Sequence, residues 1–228
     1  VVVKAPRWDL QKFRGAAQTI GSSMKSVGEV MAIGRSFEEA LQKALRMVGI
    51  RPAAFERADI ERVLREPTPE RIYACLEALR RGYSVQDINR LSHIDCWFLQ
   101  KLQNIVRIEG TLREGLSGAL LQEAKQAGFS DERIAELCPF DKEQIRKIRR
   151  AAGVVPRIKQ IDTLAGEYPA QTNYLYLTYN GTEDDIETGD LAKAVLVLGS
   201  GAYRIGSSVE FDWCAVNTVQ ALRRMGYR

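Results

Sequence analysis

A glycine-rich loop at residues 199–206, Gly-Ser-Gly-Ala-Tyr-Arg-Ile-Gly, is the first candidate for chemistry. It lies between an apolar run and a helical pattern, where backbone N–H groups can approach a phosphate at a helix N-terminus. Its third glycine comes two positions too late for the dinucleotide-binding spacing, and it lacks the Gly-Lys-Ser/Thr ending of a Walker loop. Two interpretations stay open: a phosphate-binding loop, or a tight turn between a strand and a helix.

The single histidine, His93, limits the metal and nucleophilic chemistry of the chain. One histidine cannot build a two-histidine metal site or a zinc-finger pattern. A Ser-His-Asp or Cys-His arrangement would have to use His93, which lies in the predicted turn of a helical hairpin, so we expect an exposed turn residue. Glu29 and Glu210 remain as candidate carboxylates, and each follows a Gly or Ser turn where an ordinary surface or capping carboxylate is also typical.

The overall charge and composition argue against nucleic-acid and membrane partners. The 228 residues include 33 basic and 29 acidic side chains, and the net charge of +4 describes a nearly balanced surface. No apolar run approaches the roughly 20 residues of a membrane helix. Four widely spread cysteines without a Cys-x-x-Cys pair predict free thiols in a reducing compartment. We expect a cytoplasmic protein, or a mitochondrial one whose targeting segment is missing.

A doubled helical unit organises the centre of the chain. Gly82-Tyr83-Ser84 and the residues after it return 46 positions later as Gly128-Phe129-Ser130 and its followers. Such matching at one offset indicates an internal repeat of a two-helix hairpin. In each copy the glycine can end an incoming helix, the serine can cap a short helix, and an aspartate can cap a second one. The matching later positions are Ile88, Leu91, Asp95, Leu99 and Leu102 in the first copy, and Ile134, Leu137, Asp141, Ile145 and Ile148 in the second.

The repeat has two interpretations. The apolar stripes favour two hairpins that pack on one shared core. A short helix, a turn and a second helix also form the plan of the helix-turn-helix DNA reader, which needs exposed basic side chains on the second helix. The second helix of the first copy begins Cys96-Trp97-Phe98, which favours burial. That of the second copy carries Lys142, Arg146 and Lys147, and it keeps the DNA-binding alternative open.

The segments on either side of the repeat are α/β in character. We predict strands at residues 1–4, where Pro6 limits the continuation, and at about 28–34. Ser36 and Glu39 form a capping box that opens a helix to about Val48. The aromatic, β-prone residues 174–179 indicate a strand or a linker lying across another domain. The continuous apolar run at 194–198 indicates a buried strand before a helix. The fold class is therefore mixed: a central all-α domain flanked by truncated α/β pieces. The chain begins without Met and ends where a βαβ unit needs another strand, so we expect both ends to be cut.

Four motifs follow one another along the chain: MKSVGEVMAIGR at 24–35, IDCWFL at 94–99, GFS at 128–130 and RIGSSVEFD at 204–212. In this order they resemble the large synthetase chain of carbamoyl phosphate synthetase. Two more segments, Lys-Gln-Ile-Asp-Thr at 159–163 and Tyr-Leu-Tyr-Leu-Thr-Tyr at 174–179, resemble the link between the two halves of that family's chain, closest to its eukaryotic-type branch.

The resemblance implies a part of an ATP-dependent ligase. The family makes carbamoyl phosphate from bicarbonate, glutamine-derived ammonia and two ATP, with two ATP-grasp halves and an internal passage for carbamate. By this resemblance residues 1–50 are the tail of the first ATP-grasp half and 51–155 the helical oligomerisation domain. Residues 156–193 are the linker, and 194–228 open the pre-ATP-grasp domain of the second half. The resemblance argues against the DNA-binding interpretation.

The resemblance also assigns site residues and partners. Glu29 and Glu210 correspond to acidic residues that line the carbamate passage, with Ser208 and Arg204 beside them. The implied cofactors are ATP and Mg²⁺ or Mn²⁺ in the full-length enzyme, with none bound to this chain alone, which we expect to be inactive. The implied partners are a glutaminase subunit or domain, the remainder of the synthetase chain, and further copies through the helical domain. A free-standing helical adaptor with vestigial flanks stays open as an alternative.

Overall fold

The fold is seen in a computed structural model that describes residues 1–49, 59–169, 171, 174–187, 189, 191–199, 201 and 209–228. It opens with a two-stranded antiparallel sheet of β1 (Val2–Arg7) and β2 (Gly28–Ile33), followed by helix α1 (Phe37–Val48). A short 3₁₀ turn, Leu10–Lys12, lies between the two strands. One face of the sheet packs on α1 through a small apolar cluster of Val30, Ala32, Ala44 and Val48.

Strand β1 runs through Pro6, so the prediction that Pro6 limits the strand is wrong. The carbonyls of Val1 and Arg7 accept hydrogen bonds from the N–H groups of Gly34 and Val27. Backbone polar groups alternate in direction along a strand, so the odd-numbered residues of β1 face β2 and Pro6 faces the open edge. A proline on that side removes no hydrogen bond of the ladder.

The middle of the chain is helical, as predicted. The long helix α5 packs against α3 and α4, against α6, which leads into the second hairpin, and against α1. The helices are α2 (Ile60–Arg65), α3 (Arg71–Arg80), α4 (Val85–Ser92), α5 (Cys96–Glu114), α6 (Gly118–Gln126), α7 (Asp131–Ala135) and α8 (Lys142–Ala151).

The repeat is confirmed at its corners. Gly82 and Gly128 both have left-handed backbones, with φ of 86° and 97°. At each corner, the third residue after the end of the helix donates its N–H to the carbonyl five residues earlier. Tyr83 donates to Ala78 and Phe129 to Ala124, both at 3.0 Å. The predicted caps are present as well. Ser84, Asp95, Ser130 and Asp141 each accept a backbone N–H of the following helix at 2.8–3.0 Å.

Both hairpins share one core, as the apolar stripes predict. A single buried cluster extends from Leu41 of α1 to Ile145 of α8, and Phe129 is its largest fully buried side chain. His93 ends α4 as an exposed residue in the left-handed region, as expected. The predicted burial at the start of α5 is wrong for Trp97 and Phe98, which remain 49% and 44% exposed because their rings pack on Phe37 of α1, with centroids 5.4 Å apart, rather than in the core.

A buried ion-pair cluster joins the two repeats. Glu109, in the middle of α5, is 3% exposed. Arg80, at the end of α3, donates to both of its carboxylate oxygens at 2.7 and 3.1 Å. Arg133, in α7 of the second repeat, donates to Oε1 at 2.8 Å. One carboxylate therefore connects the helix that enters the first hairpin to the short helix of the second.

The C-terminal part contains an antiparallel pair, β3 (Arg157–Gln160) and β4 (Leu175–Thr178), and a final helix, α9 (Val209–Arg224). The prediction of a buried strand at 194–198 is wrong for this structure. These residues form no strand and are mostly exposed, and the Val195 N–H donates to the Arg228 carbonyl at 2.8 Å. An apolar run becomes a buried strand only beside other strands, and the described residues place none there.

The mixed fold class with a central helical domain is confirmed. All four cysteines are free thiols, and burial raises the pKa of Cys75 to about 11. Within the described residues no helix has both the length and the apolarity needed to cross a membrane.

Replacing Glu109 by glutamine tests the cluster between the repeats. We expect Glu109→Gln to lower the free energy of unfolding by about 1–3 kcal/mol, because the buried charge shared by Arg80 and Arg133 would be lost, while these partners are themselves 27% and 34% exposed. Urea denaturation measures the change. Glu143→Gln is the matched control, since this carboxylate is 64% exposed and lies 3.8 Å from Arg146. The control should change stability by less than about 0.5 kcal/mol, and equal losses in both variants would contradict the role of Glu109.

Candidate functional site

The carboxylate of Glu39 is the centre of a polar junction between α1, the second repeat and the residues after β4. Glu39 lies in the first turn of α1 and is 1% exposed. Its oxygens accept hydrogen bonds from the Arg35 N–H at 2.9 Å, from Lys43 Nζ at 2.7 Å and from Asn180 Nδ2 at 2.9 Å. The predicted capping box is half formed: Ser36 accepts the Glu39 N–H, but the carboxylate bonds to Arg35 instead of returning to Ser36.

Helix α1 holds the corner of the second repeat by hydrogen bonds to backbone carbonyls. Gln42 Nε2 donates to the Ala127 carbonyl at 2.9 Å, and Arg46 Nη1 donates to the Gly128 carbonyl at 2.6 Å. Carbonyls near the end of a helix have no intrahelical partner, so side-chain donors from α1 satisfy them. The corner that follows α6 is therefore a docking point for α1.

The equivalent glycines of the two repeats have different surroundings. A Cβ added to Gly128 would lie 2.8 Å from Glu39 Cα and 3.0 Å from its carbonyl oxygen. A Cβ added to Gly82 would meet no atom of the described residues within 4 Å. The left-handed backbone requires glycine at both corners, but only at Gly128 does the missing side chain also allow a helix to approach.

Residues 175–180, which we call the strap, cross this junction. The strap consists of β4 and the two residues after it. Lys43 Nζ donates to the Leu177 carbonyl at 2.6 Å, and Asn180 Nδ2 donates both to Glu39 and, at 2.8 Å, to the Gln126 carbonyl. One amide of the strap thus bonds to α1 and to α6 together.

A second polar cluster holds the ring of Tyr179 in the strap. Lys125 Nζ lies 4.7 Å and Arg149 Cζ 5.5 Å from the ring centroid. Both cations are buried, and both pair with Asp131, at 2.7 Å for Lys125 and 3.1 Å for Arg149. Cation–π contacts of desolvated groups are worth about 2 kcal/mol. The cluster fixes the strap to α6, α7 and α8.

The carboxylates of these clusters are held in their ionised form. Burial by itself raises the pKa of Glu39, but the donors from Lys43, Arg35, Thr178 and Asn180 outweigh it and leave the pKa below its ordinary value. The same balance applies to Glu109 beside two arginines and to Asp131 beside Lys125 and Arg149, and both pKa values are lowered. For Lys125, burial lowers the pKa although Asp131 opposes it. These groups hold elements in place; the described contacts leave none of the three carboxylates without a cation.

The residues predicted to line a carbamate passage lie away from these clusters. Glu29 lies on β2 with its side chain 59% exposed, 2.8 Å from Lys4 Nζ. Glu210 lies, exposed, in the first turn of α9. Arg204 and Ser208, like most of the glycine-rich loop, fall outside the described residues. The passage role of all four stays a prediction.

Sequence reasoning missed Glu39 as a junction residue and Asn180 entirely. The Ser36–Glu39 spacing has a local explanation as a helix cap, which hid the long-range role of the carboxylate. Asn180 follows a strand and carries no pattern that distinguishes it from an ordinary turn residue. A usable signal existed only for Gly128, because its match with Gly82 predicted a left-handed corner.

The fold and the junction define a helical scaffold module that holds α/β segments on either side of it. A family model described as "Carbamoyl-phosphate synthetase large chain, oligomerisation domain" matches residues 29–153, and one described as "Carbamoyl phosphate synthase preATP-grasp domain" matches residues 191–228. The chain belongs to the carbamoyl phosphate synthetase large-chain family, as its motifs predicted. Neither the helical-adaptor nor the DNA-binding alternative is supported by these comparisons.

Curated relatives match the chain along nearly its whole length. It is 52% identical over 240 residues to the carbamoyl phosphate synthase arginine-specific large chain of Eremothecium gossypii, covering all of this chain and 21% of the relative. It is 48% identical over 236 residues to the multifunctional protein pyrABCN of Emericella nidulans, covering all of this chain and 10% of the relative. The human mitochondrial carbamoyl-phosphate synthase (ammonia) is 46% identical over 241 residues, with 99% and 16% covered. The chain thus spans between a tenth and about a fifth of these relatives.

The two corner glycines provide a matched test of the docking of α1. We expect Gly82→Ala to cost about 1 kcal/mol of unfolding free energy from the left-handed backbone alone. Gly128→Ala should cost at least about 2 kcal/mol more, because its methyl group would overlap backbone atoms of Glu39. Thermal and urea denaturation of both variants measure the difference. Similar losses at the two sites would show that α1 does not dock at Gly128.

The lowered carboxyl pKa values predict loss of stability in acid. A carboxyl whose pKa is lower in the folded protein contributes stability that is complete above its unfolded pKa and is lost as the pH falls through its folded pKa. The unfolded values are about 4, so the contributions of Glu39, Glu109 and Asp131 should be complete and independent of pH above about pH 5.5. The unfolding free energy should fall as the pH drops below about 4.5. Urea denaturation from pH 7 to pH 3 measures this dependence. The unfolding free energy of Glu109→Gln should fall less steeply with decreasing pH than that of the wild type. An unchanged slope would refute the contribution of Glu109 to the acid sensitivity.

Proposed function

We propose that this chain is the central part of a carbamoyl phosphate synthetase large chain, where it positions the two halves of the enzyme. The whole enzyme would make carbamoyl phosphate from bicarbonate, glutamine-derived ammonia and two ATP, for arginine and pyrimidine biosynthesis. Support comes from the two family models, which match in the family's order, and from relatives aligned over 99–100% of the chain.

We further propose that the chain divides as the resemblance implies. Residues 1–50 would be the tail of the first ATP-grasp half, 51–155 the helical oligomerisation domain, 156–193 the linker, and 194–228 the start of the pre-ATP-grasp domain. The family model of the oligomerisation domain begins earlier, at residue 29, so the proposal places the boundary after α1 rather than before it. Helix α1 would then belong to the first half while it docks on the helical domain through Gln42 and Arg46. This docking is the observation that carries the positioning function, because it joins two of the proposed parts by direct contacts.

The passage residues remain part of the proposal. Glu29 and Glu210 would present carboxylates along the route of carbamate, with Ser208 and Arg204 beside the second of them. Polar walls suit an anionic intermediate that must pass without being held tightly. The exposure of Glu29 on β2 leaves its carboxylate accessible to such a route.

The cofactors and partners belong to the whole enzyme. By the resemblance, ATP with Mg²⁺ or Mn²⁺ would bind outside this chain. Within the described residues, no group of three His, Cys, Asp or Glu side chains could hold a metal ion. The proposed partners are a glutaminase subunit or domain, the remainder of the synthetase chain, and further copies through the helical domain. The proposed location is the cytoplasm or the mitochondrion.

The activity of the chain alone tests this assignment. We expect the purified 228-residue chain to show no bicarbonate-dependent ATP hydrolysis above the background without bicarbonate. A full-length protein that contains the chain should hydrolyse ATP in the presence of bicarbonate and form carbamoyl phosphate when glutamine is added. A coupled ADP assay and a carbamoyl phosphate assay measure the two reactions. Hydrolysis by the chain alone, or a full-length protein that forms no carbamoyl phosphate, would refute the assignment.

A further inference from the structure

The strap is held by polar contacts rather than by apolar burial. Its Leu175 and Leu177 side chains are 42% and 55% exposed, so the strap does not bury them in a core. Instead, Lys43 donates to a backbone carbonyl of the strap, and Asn180, the last residue of the strap, donates to Glu39. Tyr179 lies beside two buried cations. Contacts of this kind define one geometry and lose their strength when a single donor is removed.

The strap contacts two elements that the proposed division assigns to different parts. On α1, Lys43 bonds to the Leu177 carbonyl, and Glu39 accepts from Asn180. On the second repeat, the Gln126 carbonyl accepts from the same Asn180 amide. The two hydrogen atoms of this amide thus join α1 to the end of α6.

We propose that Asn180 is a positioning residue for transfer between the two halves of the enzyme, acting through the strap. This inference rests on the proposed function. The strap belongs to the linker that leads toward residues 191–228, and it is fixed to the helix that closes the proposed first half. Fixing the linker at this point sets where the second half begins relative to the first. A carbamate passage between the halves depends on that placement.

The isosteric variant Asn180→Asp gives the sharpest test. Aspartate has the shape of asparagine, but it cannot donate to Glu39 or Gln126, and it places a second carboxylate where the recorded distance to Glu39 is 2.9 Å. Asn180→Ala removes the same donors without adding charge, so it serves as a second variant if the first does not fold. Asn217→Asp is the matched control, because the side-chain amide of Asn217 donates within its own helix, α9, to the Trp213 carbonyl at 2.8 Å.

Two measurements separate positioning from simple stabilisation. In the 228-residue chain, hydrogen exchange by mass spectrometry should show amides of β4 exchanging at least about tenfold faster in Asn180→Asp, with Asn217→Asp unchanged in that segment. In the full-length enzyme, the ATP hydrolysed per carbamoyl phosphate formed should rise about twofold or more in Asn180→Asp. Bicarbonate-dependent ATP hydrolysis measured without glutamine should stay near the wild-type rate. A smaller effect in the same direction is expected for Asn180→Ala.

The outcomes are distinguishable. Faster exchange with an unchanged ATP ratio would overturn the inference and leave the strap a structural contact only. A changed ratio without faster exchange would also overturn it, because the effect would not pass through release of the strap. A wild-type full-length protein that forms no carbamoyl phosphate would overturn the proposed function, and the inference with it. The exchange result would still show what Asn180 does for the strap.

Discussion

The buried carboxylate of Glu39 must keep all of its donors, and the arrangement of the flanking segments depends on this requirement. An ionised group without partners in a protein interior costs several kcal/mol, far more than an average hydrogen bond contributes. The donors to Glu39 come from the turn before α1, from Lys43 within α1 and from Asn180 in the strap. Because these segments are separated in sequence, satisfying one carboxylate orders α1 and the strap together.

The duplicated hairpin provides two similar corners, and the structure uses them differently. Both corners share the left-handed glycine, the same reach-back hydrogen bonds and the same serine cap. The second corner receives α1, whereas no part of the chain that the structure describes comes within 4 Å of a Cβ placed on Gly82 at the first. Identical local rules therefore place one flanking helix asymmetrically on an internally repeated module. A scaffold that must hold unlike segments at its two ends needs such an asymmetry.

Three carboxylates join elements that are separated in sequence; Glu39 and Glu109 are buried, and Asp131 is partly buried. Glu109 connects the repeats, Asp131 connects α6 to α8, and Glu39 connects α1 to the strap. Buried ion pairs contribute little net stability compared with well-packed apolar side chains, but each accepts only one arrangement of its donors. The described charges thus serve orientation within the module. This use agrees with a chain that is one part of a larger ligase.

The sequence by itself determined the features that depend on neighbouring residues. The helical hairpins, their glycine corners, their serine and aspartate caps and the exposed position of His93 all follow from local backbone chemistry, and the motifs identified the family. Tertiary structure alone decided the partners of Glu39, the contacts of Asn180 and the exposure of Trp97 and of residues 194–198. These features depend on which distant segment lies nearby. A carboxylate three residues after a serine predicts a helix cap, whether or not an asparagine 141 positions later donates to it. Local chemistry specifies the elements, and long-range satisfaction of buried polar groups specifies how they meet.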